Sequence, residues 1–368
     1  MEIEVSQDKL ARALNIVSRV AMGAKSTLPV LSNVLMRVDK GKVSLTTTNL
    51  DMAVVDYVPV ISAKDGTITV PARLLAEFVQ NLPRGEKIKI EAKDNKVKTS
   101  AGRYASTING APADDFPELP DIDEKKAVIY KMGVDEFRVG LSEVIIAASG
   151  DTTRPALTGV YFNTAEGALY VAATDGYRLA EREFIPKVES EVKAIVPTSS
   201  LQEVLRSISD DVEEIEILFD EAQVRFRVGE IEVTSKLIDG TFPDYRQLIP
   251  TNNEVKAVLD RDELNRIVKM AALFARESNR AITCEADAEK NLFAVSSISN
   301  EVGENRSEIE VKIEQSGKVK LDSRFLMDAL NVLEEEEVRI EFSLSSAPVL
   351  LENKNDKKYR HIIMPLNV

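Results

Sequence analysis

The stretch Leu10-Ala11-Arg12-Ala13-Leu14-Asn15-Ile16-Val17-Ser18-Arg19-Val20-Ala21 decides how the chain reads. Leu10, Leu14, Val17 and Ala21 fall at i, i+4, i+7 and i+11, one face of an amphipathic helix. The same face returns about 127 residues on as Phe137, Leu141, Val144 and Ala148, and again as Leu264, Val268, Ala271 and Ala275. Ser6 and Asp260 precede two of these helices, where a side-chain oxygen can cap free N–H groups; Gly133 holds that place in the middle copy.

A second helix recurs in step. Leu75, Phe78, Val79 and Leu82 match Leu201, Val204, Leu205 and Ile208, then Leu326, Ala329, Leu330 and Leu333. Strands enter it (67–70, 193–196, 318–321) and leave it (87–91, 214–219, 338–342). Alternating strands at 42–46, 168–172 and 291–295 lie between the two helices. They are followed by Thr48-Asn49-Leu50-Asp51, Thr174-Asp175-Gly176-Tyr177 and Ser299-Asn300-Glu301, which read as turns. Asp115-Phe116-Pro117 and Thr241-Phe242-Pro243-Asp244 close two copies, and the third stops at Met364-Pro365. The pattern predicts an α+β chain of three repeated domains, 1–124, 125–252 and 253–368, each with two helices on antiparallel sheet and roughly eight strands. Polar links near residues 121–126 and 251–254 mark the boundaries.

The rest of the composition removes chemistry. Of 368 residues one is histidine, His361, and one is cysteine, Cys284. Both sit in strand-like runs, so an inert buried thiol and a strand histidine are expected. Cys/His zinc sites and disulfides within the chain cannot be assembled, and a reducing cytoplasm is the expected compartment. No hydrolase triad and no Gly-rich phosphate loop appear. The run Glu334-Glu335-Glu336-Glu337 reads as a solvated turn rather than a metal site, and Asp175-Gly176 as a turn rather than a catalytic pair. No cofactor, no metal and no catalytic residue is expected. No apolar run approaches the roughly 20 residues of a membrane span, and the alternating start Met1-Glu2-Ile3-Glu4-Val5 is not a signal peptide.

A net charge of −14 argues against a surface that binds nucleic acid everywhere, though not against a local basic lining. The polar helix faces carry Lys9, Arg12, Arg19, Arg73, Arg138, Arg206, Arg266, Lys269 and Arg324, diluted by Asp8, Glu136 and Asp262. If the helices line a ring at about 10 Å each, six enclose a hole of only about 9 Å, whereas twelve enclose about 28 Å. A duplex is wider than roughly 16 Å, so a ring around it needs two chains. A scaffold that binds proteins but not DNA, and a metal-dependent nuclease with an acidic site, are the alternatives.

The chain also resembles the beta sliding clamps of bacterial DNA polymerase III. The resemblance rests on Thr27-Leu28-Pro29-Val30-Leu31-Ser32-Asn33, Val70-Pro71-Ala72-Arg73 and Ala113-Asp114-Asp115-Phe116-Pro117 in the first copy. In the second it rests on Ala173-Thr174-Asp175-Gly176-Tyr177-Arg178-Leu179-Ala180, and on Thr234 to Gly240 running into Phe242-Pro243-Asp244-Tyr245. Ile362-Ile363-Met364-Pro365-Leu366 completes it. It implies a DNA-clamp fold forming half of a closed ring, a head-to-tail homodimer around double-stranded DNA of any sequence, and no catalysis. It further implies an ATP-driven clamp loader, the polymerase III alpha subunit and other clamp-binding-motif proteins as partners.

By the same resemblance a partner-peptide pocket is formed by Leu157, Thr174, Gly176, Tyr177, Arg178, Leu179, Pro243, Gln247 and Leu248. Its other half is Phe325, Ser346, Pro348, Ile362, Ile363, Met364, Pro365 and Leu366. Apolar groups and a pliable methionine suit a Leu or Phe anchor, with Arg178 setting direction. Lys25 and Arg154 join Arg73, Arg138, Arg206, Arg266 and Lys269 as DNA-facing residues. Tyr104 and Ile108 are expected to meet Leu273 and Phe274 of a second chain. The chain departs from the family pattern at Tyr177 (histidine in some members), Gln247 (arginine), Pro155 and Ala156 (aromatics) and its Asn367-Val368 ending.

Overall fold

The computed structural model describes residues 1–23, 28–119, 121–276, 279–343 and 347–366. The first repeat runs β1 (Glu2–Ser6), α1 (Gln7–Gly23), β2 (Asn33–Asp39), β3 (Lys42–Thr48), β4 (Met52–Val58), β5 (Ser62–Lys64), β6 (Gly66–Pro71), α2 (Ala72–Gln80), β7 (Lys87–Lys93), β8 (Lys96–Ala101) and β9 (Tyr104–Asn109). The second runs β10 (Val128–Gly133), α3 (Val134–Ile145), β11 (Gly159–Ala165), β12 (Ala168–Thr174), β13 (Arg178–Ile185), β14 (Lys193–Pro197), α4 (Thr198–Ser207), β15 (Glu214–Phe219), β16 (Gln223–Val228) and β17 (Ile231–Lys236). The third runs β18 (Val255–Asp260), α5 (Arg261–Ala275), β19 (Ala281–Asp287), β20 (Leu292–Ser299), β21 (Gly303–Glu310), β22 (Gly317–Asp322), α6 (Ser323–Val332), β23 (Glu337–Phe342), β24 (Val349–Asn353) and β25 (Tyr359–Ile363). The element order is therefore one unit written three times, with the short β5 the first copy's addition.

The helix stripes are core, as their spacing requires. Leu10, Leu14, Val17, Ala21, Phe137, Leu141, Val144 and the whole set Leu264, Val268, Ala271 and Ala275 are buried, while Ala148 is half-buried and lies three residues past the end of α3, outside the helix that its spacing predicted. The second-helix stripes are buried except for Phe78, Leu205 and Ile208, which lie at the half-buried flank. Side chains fasten these helices to their surroundings. Gln7 Nε2 donates to the Val79 carbonyl at 2.9 Å and Thr47 Oγ1 to the Val17 carbonyl at 2.6 Å. Asp260 caps α5 by accepting the Glu263 N–H at 2.8 Å, and Asp322 caps α6 from the Arg324 N–H at 2.8 Å. Cys284 is fully buried, and burial pushes its thiol up to about 12.

The chain divides into two compact units, residues 1–134 with 199–237, and residues 135–198 with 238–368. Each holds one outer repeat plus half of the middle one. The reason lies in the sheets. In the first unit, β17 pairs antiparallel with β4 (Thr234 opposite Ala53), merging half of the middle repeat into an eight-stranded sheet ordered β10-β15-β16-β17-β4-β3-β2-β6. In the second, β13 pairs with β25 (Leu179 opposite Ile362) in the order β14-β11-β12-β13-β25-β24-β23-β18. Each unit keeps a smaller sheet: β5-β1-β7-β8-β9 in the first and β21-β20-β19-β22 in the second.

Replacing the α5 cap, Asp260→Ala, leaves the Glu263 N–H without its acceptor. The expected loss is about 1 kcal/mol. A urea titration that finds the unfolding midpoint unmoved would contradict the capping role.

Candidate functional site

The second unit carries the site. The turn between β12 and β13 is built by its own side chains. Thr174 Oγ1 donates to the Arg178 carbonyl at 2.6 Å and accepts from the Gly176 N–H at 3.1 Å. Asp175 Oδ1 accepts from the N–H groups of Tyr177 and Arg178 at 2.9 and 3.0 Å. Gly176 sits at φ +90°, a backbone angle that a β carbon makes costly, so the Asp-Gly pair is there for the turn. The chain leaving β25 fastens onto it, where Met364 N–H donates to the Tyr177 carbonyl at 2.8 Å, and then onto β22, where Leu366 N–H donates to the Lys320 carbonyl at 2.9 Å.

The floor beneath this turn is apolar. Leu179 and Ile362, opposite each other on β13 and β25, pack with Ala172, Ile195, Phe242, Tyr245 and Leu350, flanked by Ala156 and Ile249. Leu157 is buried at the end of a 3-10 turn, Pro155–Leu157, and Ile363 is buried beside Arg178. Around this floor Tyr177 is 67% exposed, Leu248 48% and Met364 36%, three large apolar side chains without cover. Pro243 and Gln247 are exposed on the same segment as Leu248, where Gln247 Nε2 donates to the Asp244 carbonyl at 3.0 Å.

Arg178 is not a loose cation at the rim. Its guanidinium is 9% exposed, lies 3.1 Å from Asp175 and 2.7 Å from Asp328, and stacks 4.6 Å from the centre of the Phe325 ring. That arrangement pins the turn to α6 and makes Phe325 a wall. Pro348 and Pro365 are half-buried nearby in sequence to β24 and β25. Ser346 and the Asn367-Val368 ending lie outside the described residues. Sequence reasoning missed Asp328 and Tyr245. Asp328 follows Phe325 by one helical step, a spacing that could have pointed to it. Tyr245 donates to buried Glu181 at 2.6 Å, for which no local pattern speaks.

Among the described residues no group of three His, Cys, Asp or Glu side chains is placed to hold a metal. The arrangement offers a hydrophobic seat with fixed backbone groups, suited to docking a peptide rather than to bond chemistry.

Family models for the N-terminal, central and C-terminal domains of the DNA polymerase III beta subunit match residues 1–120, 131–244 and 246–367. The chain belongs to the DNA polymerase III beta subunit family. It is 30% identical to a beta sliding clamp of Synechococcus elongatus over 100% of both chains. It is 28% identical to one of Staphylococcus epidermidis over 100% of this chain and 99% of the relative. Its fold superposes on a sliding clamp from Pseudomonas aeruginosa, solved bound to griselimycin, with TM-score 0.94 at 28% identity, covering 100% of both chains. The Bacillus subtilis clamp gives 0.93 at 27% identity, over 100% of this chain and 99% of that one. As a beta sliding clamp, the chain is a three-domain, non-catalytic processivity subunit of DNA replication.

Three of the seven expected DNA-facing cations are matched by acids. Arg73 pairs with Glu77 at 2.7 Å, Arg138 with Asp135 at 3.3 Å and Arg206 with Glu203 at 3.8 Å. Among the described residues Arg266 and Lys269 are exposed without an ion-pair partner, and Arg154 is exposed near the Gly176 turn. Lys25 lies outside the described residues. Of the expected seam residues, Tyr104 is 38% and Leu273 57% exposed, and Phe274 is half-buried. Ile108 is 5% exposed: it faces the interior of its own sheet, paired across from Val97, and presents little surface to another chain. No helix among the described residues is long and apolar enough to cross a membrane.

His361 lies under the site on β25, fully buried. Its Nδ1 is 2.8 Å from the Tyr359 hydroxyl, which donates to the Glu143 carbonyl at 3.1 Å. Burial, and then the nearby Arg178 charge, push the imidazole down to about 3. The unfolded chain therefore takes up this proton near the ordinary value of about 6.5 while the folded one refuses it. Stability is whole above that value and falls as pH drops from it toward 3. The expected loss at pH 5 is about 2 kcal/mol. His361→Gln should flatten that part of the profile in denaturant titrations; an unchanged slope would place the loss in other groups.

Proposed function

We propose that two copies close head to tail into a ring around duplex DNA, with domains 1–124, 125–252 and 253–368 in each. The observation that carries this is a pair of sheet edges that carry or adjoin exposed apolar side chains, Tyr104 and Leu273. In the first unit β9 ends the order β5-β1-β7-β8-β9, and in the second β21 ends the order β21-β20-β19-β22. Both are antiparallel edge strands with unpaired backbone groups, a state folded proteins seldom leave uncovered. Joining β9 of one chain to β21 of the next uses unlike surfaces, so the contact repeats until rotation closes it. Tyr104 lies on β9, and Leu273 lies on α5, the helix packed against β21. These give the seam apolar anchors.

The helical cations Arg73, Arg138, Arg206, Arg266 and Lys269, with Lys25 and Arg154, supply phosphate contacts that read no base. The Tyr177 turn with Leu248, Met364 and the Leu179–Ile362 floor takes an apolar tail from partners, among them the polymerase III alpha subunit, the clamp loader and other clamp-binding-motif proteins. The setting is the cytoplasm, and the family's printed function as a sliding clamp supports the whole reading.

Encirclement has a topological signature. Loaded with clamp loader and ATP, the protein should stay on nicked circular DNA and be lost when the circle is cut. Retention that ignores the cut would defeat the ring. For the seam, Leu273→Asp places a charge at the anchor. Sedimentation should then report a monomer where the unaltered chain is a dimer, and an unchanged mass would move the seam elsewhere.

A further inference from the structure

The first unit repeats the docking turn. Thr48 Oγ1 donates to the Met52 carbonyl at 2.8 Å, as Thr174 does to Arg178. Asn49 Oδ1 accepts from the N–H groups of Asp51 and Met52 at 3.0 and 2.8 Å, as Asp175 does from Tyr177 and Arg178. Lys236 N–H donates to the Asp51 carbonyl at 2.9 Å, the counterpart of Met364 on Tyr177. Phe116-Pro117 stands where the other unit has Phe242-Pro243. A cleft of about 540 Å³ opens at this turn, with Leu50, Met52, Pro117, Glu118, Leu119 and Lys236 on its walls.

Resting on the reading of the Tyr177 turn as a docking site, we infer that the β3–β4 turn of the first unit is a second docking groove, one that takes a short segment of a partner protein in which lysine or arginine flanks a compact aliphatic residue. The chemistry differs from the first site at each equivalent position. The floor pair Leu179 and Ile362 is replaced by Ala53 and Thr234, which oppose each other in the same register. The Thr234 hydroxyl is already engaged by Arg225 at 3.1 Å. A floor with smaller side chains and one satisfied hydroxyl suits a compact aliphatic residue better than a deep anchor. The cation disappears as well, since Met52 stands where Arg178 does.

The rim is acidic. Asp51 and Glu118 line the cleft and are exposed, and Asp114 and Asp115 are exposed just ahead of Glu118 in the chain, outside the cleft wall. Among the described residues Glu118, Asp114 and Asp115 have no ion-pair partner, and Lys236, 3.9 Å from Asp51, is the one cation on the cleft wall. A wall with two carboxylates, Asp51 and Glu118, to one cation, and with Glu118 left unpaired, over an apolar floor complements a basic, aliphatic segment. Leu50 marks the groove as a built surface. It holds φ +76° where the other turn has Gly176 at +90°, yet its side chain is 43% exposed. A leucine there strains the backbone and contributes little to the core, so its value lies in what it meets outside.

The test is fluorescence anisotropy on the full-length protein with a fluorescein-labelled peptide that alternates lysine with valine and alanine. Glu118→Lys and Leu50→Gly should each weaken saturable binding by about tenfold, while Met364→Asp and the remote charge change Glu189→Lys stay within about twofold. Leu50→Gly keeps the turn's geometry, so its loss cannot be put down to misfolding. The inference is overturned by an absence of saturable binding, by indifference to Glu118→Lys and Leu50→Gly, by an equal loss in Glu189→Lys, or by loss in Met364→Asp, which would put the peptide in the other turn. An apolar Leu/Phe tail peptide titrated in parallel separates the two readings. Indifference of that peptide to Met364→Asp sinks the Tyr177 site and leaves this groove to be judged on its own data.

Discussion

Backbone hydrogen bonding at strand edges is the constraint on which the rest depends. A strand that ends a sheet leaves a row of N–H and C=O groups without partners. The repeat unit alone cannot close its own sheets. The chain resolves this by lending each half of its middle copy to an outer one, through β17 on β4 and β13 on β25. The cost of unmet backbone groups thus explains why the compact units cut across the sequence repeat. The arrangement also leaves edge strands with one free side, β9 and β21 among them, at which assembly is expected.

The same two junction ladders create the two turns. Where β13 meets β25, the chain beyond β25 continues past the end of the ladder and hands Met364 N–H to Tyr177. Where β17 meets β4, Lys236 does this to Asp51. A preformed seat therefore arises at each junction from pairing alone. What the seat accepts is then set by a few side chains: Leu179, Ile362 and Arg178 in one, Ala53, Thr234 and Met52 in the other. Rigidity comes from the sheets, and chemistry comes from substitutions that leave the ladder untouched.

How much of this could be read from sequence follows from the range of the forces. Helical stripes such as Leu264, Val268, Ala271 and Ala275 are local periodicities, and all four positions proved buried. The turn residues Thr174 and Asp175 bond within four positions of themselves, so their role was legible too. Resemblance supplied the positions expected to form a partner pocket, but not their mutual contacts. Arg178 binds Asp328 across 150 residues, and Tyr245 binds Glu181 across 64. Such pairs follow from which strands become neighbours, which no single stretch encodes. Ile108 shows the same limit: alternation puts it on one face of β9 with Tyr104, but does not tell that the chain covers Ile108 and leaves Tyr104 open.

The charge distribution fits a protein that must hold DNA without stopping on it. A body of net charge −14 repels a polyanion, so attraction has to be local. On the proposed ring, Arg73, Arg138 and Arg206 already lean on Glu77, Asp135 and Glu203. Arg73–Glu77 and Arg138–Asp135 are exposed pairs, a kind that contributes little in water, so a phosphate can take the acid's place and give it back at little cost. Glu203 is buried and shared with Arg19, which leaves exposed Arg206 only loosely held at 3.8 Å. At these three positions the guanidinium regains its acid when a phosphate leaves, while among the described residues Arg266 and Lys269 stay free to attract the next one. A lining of uncompensated cations would bind more tightly and give deeper wells along the duplex. Neutralising part of the lining makes those wells shallower, and closure of the ring, rather than contact strength, is left to prevent escape.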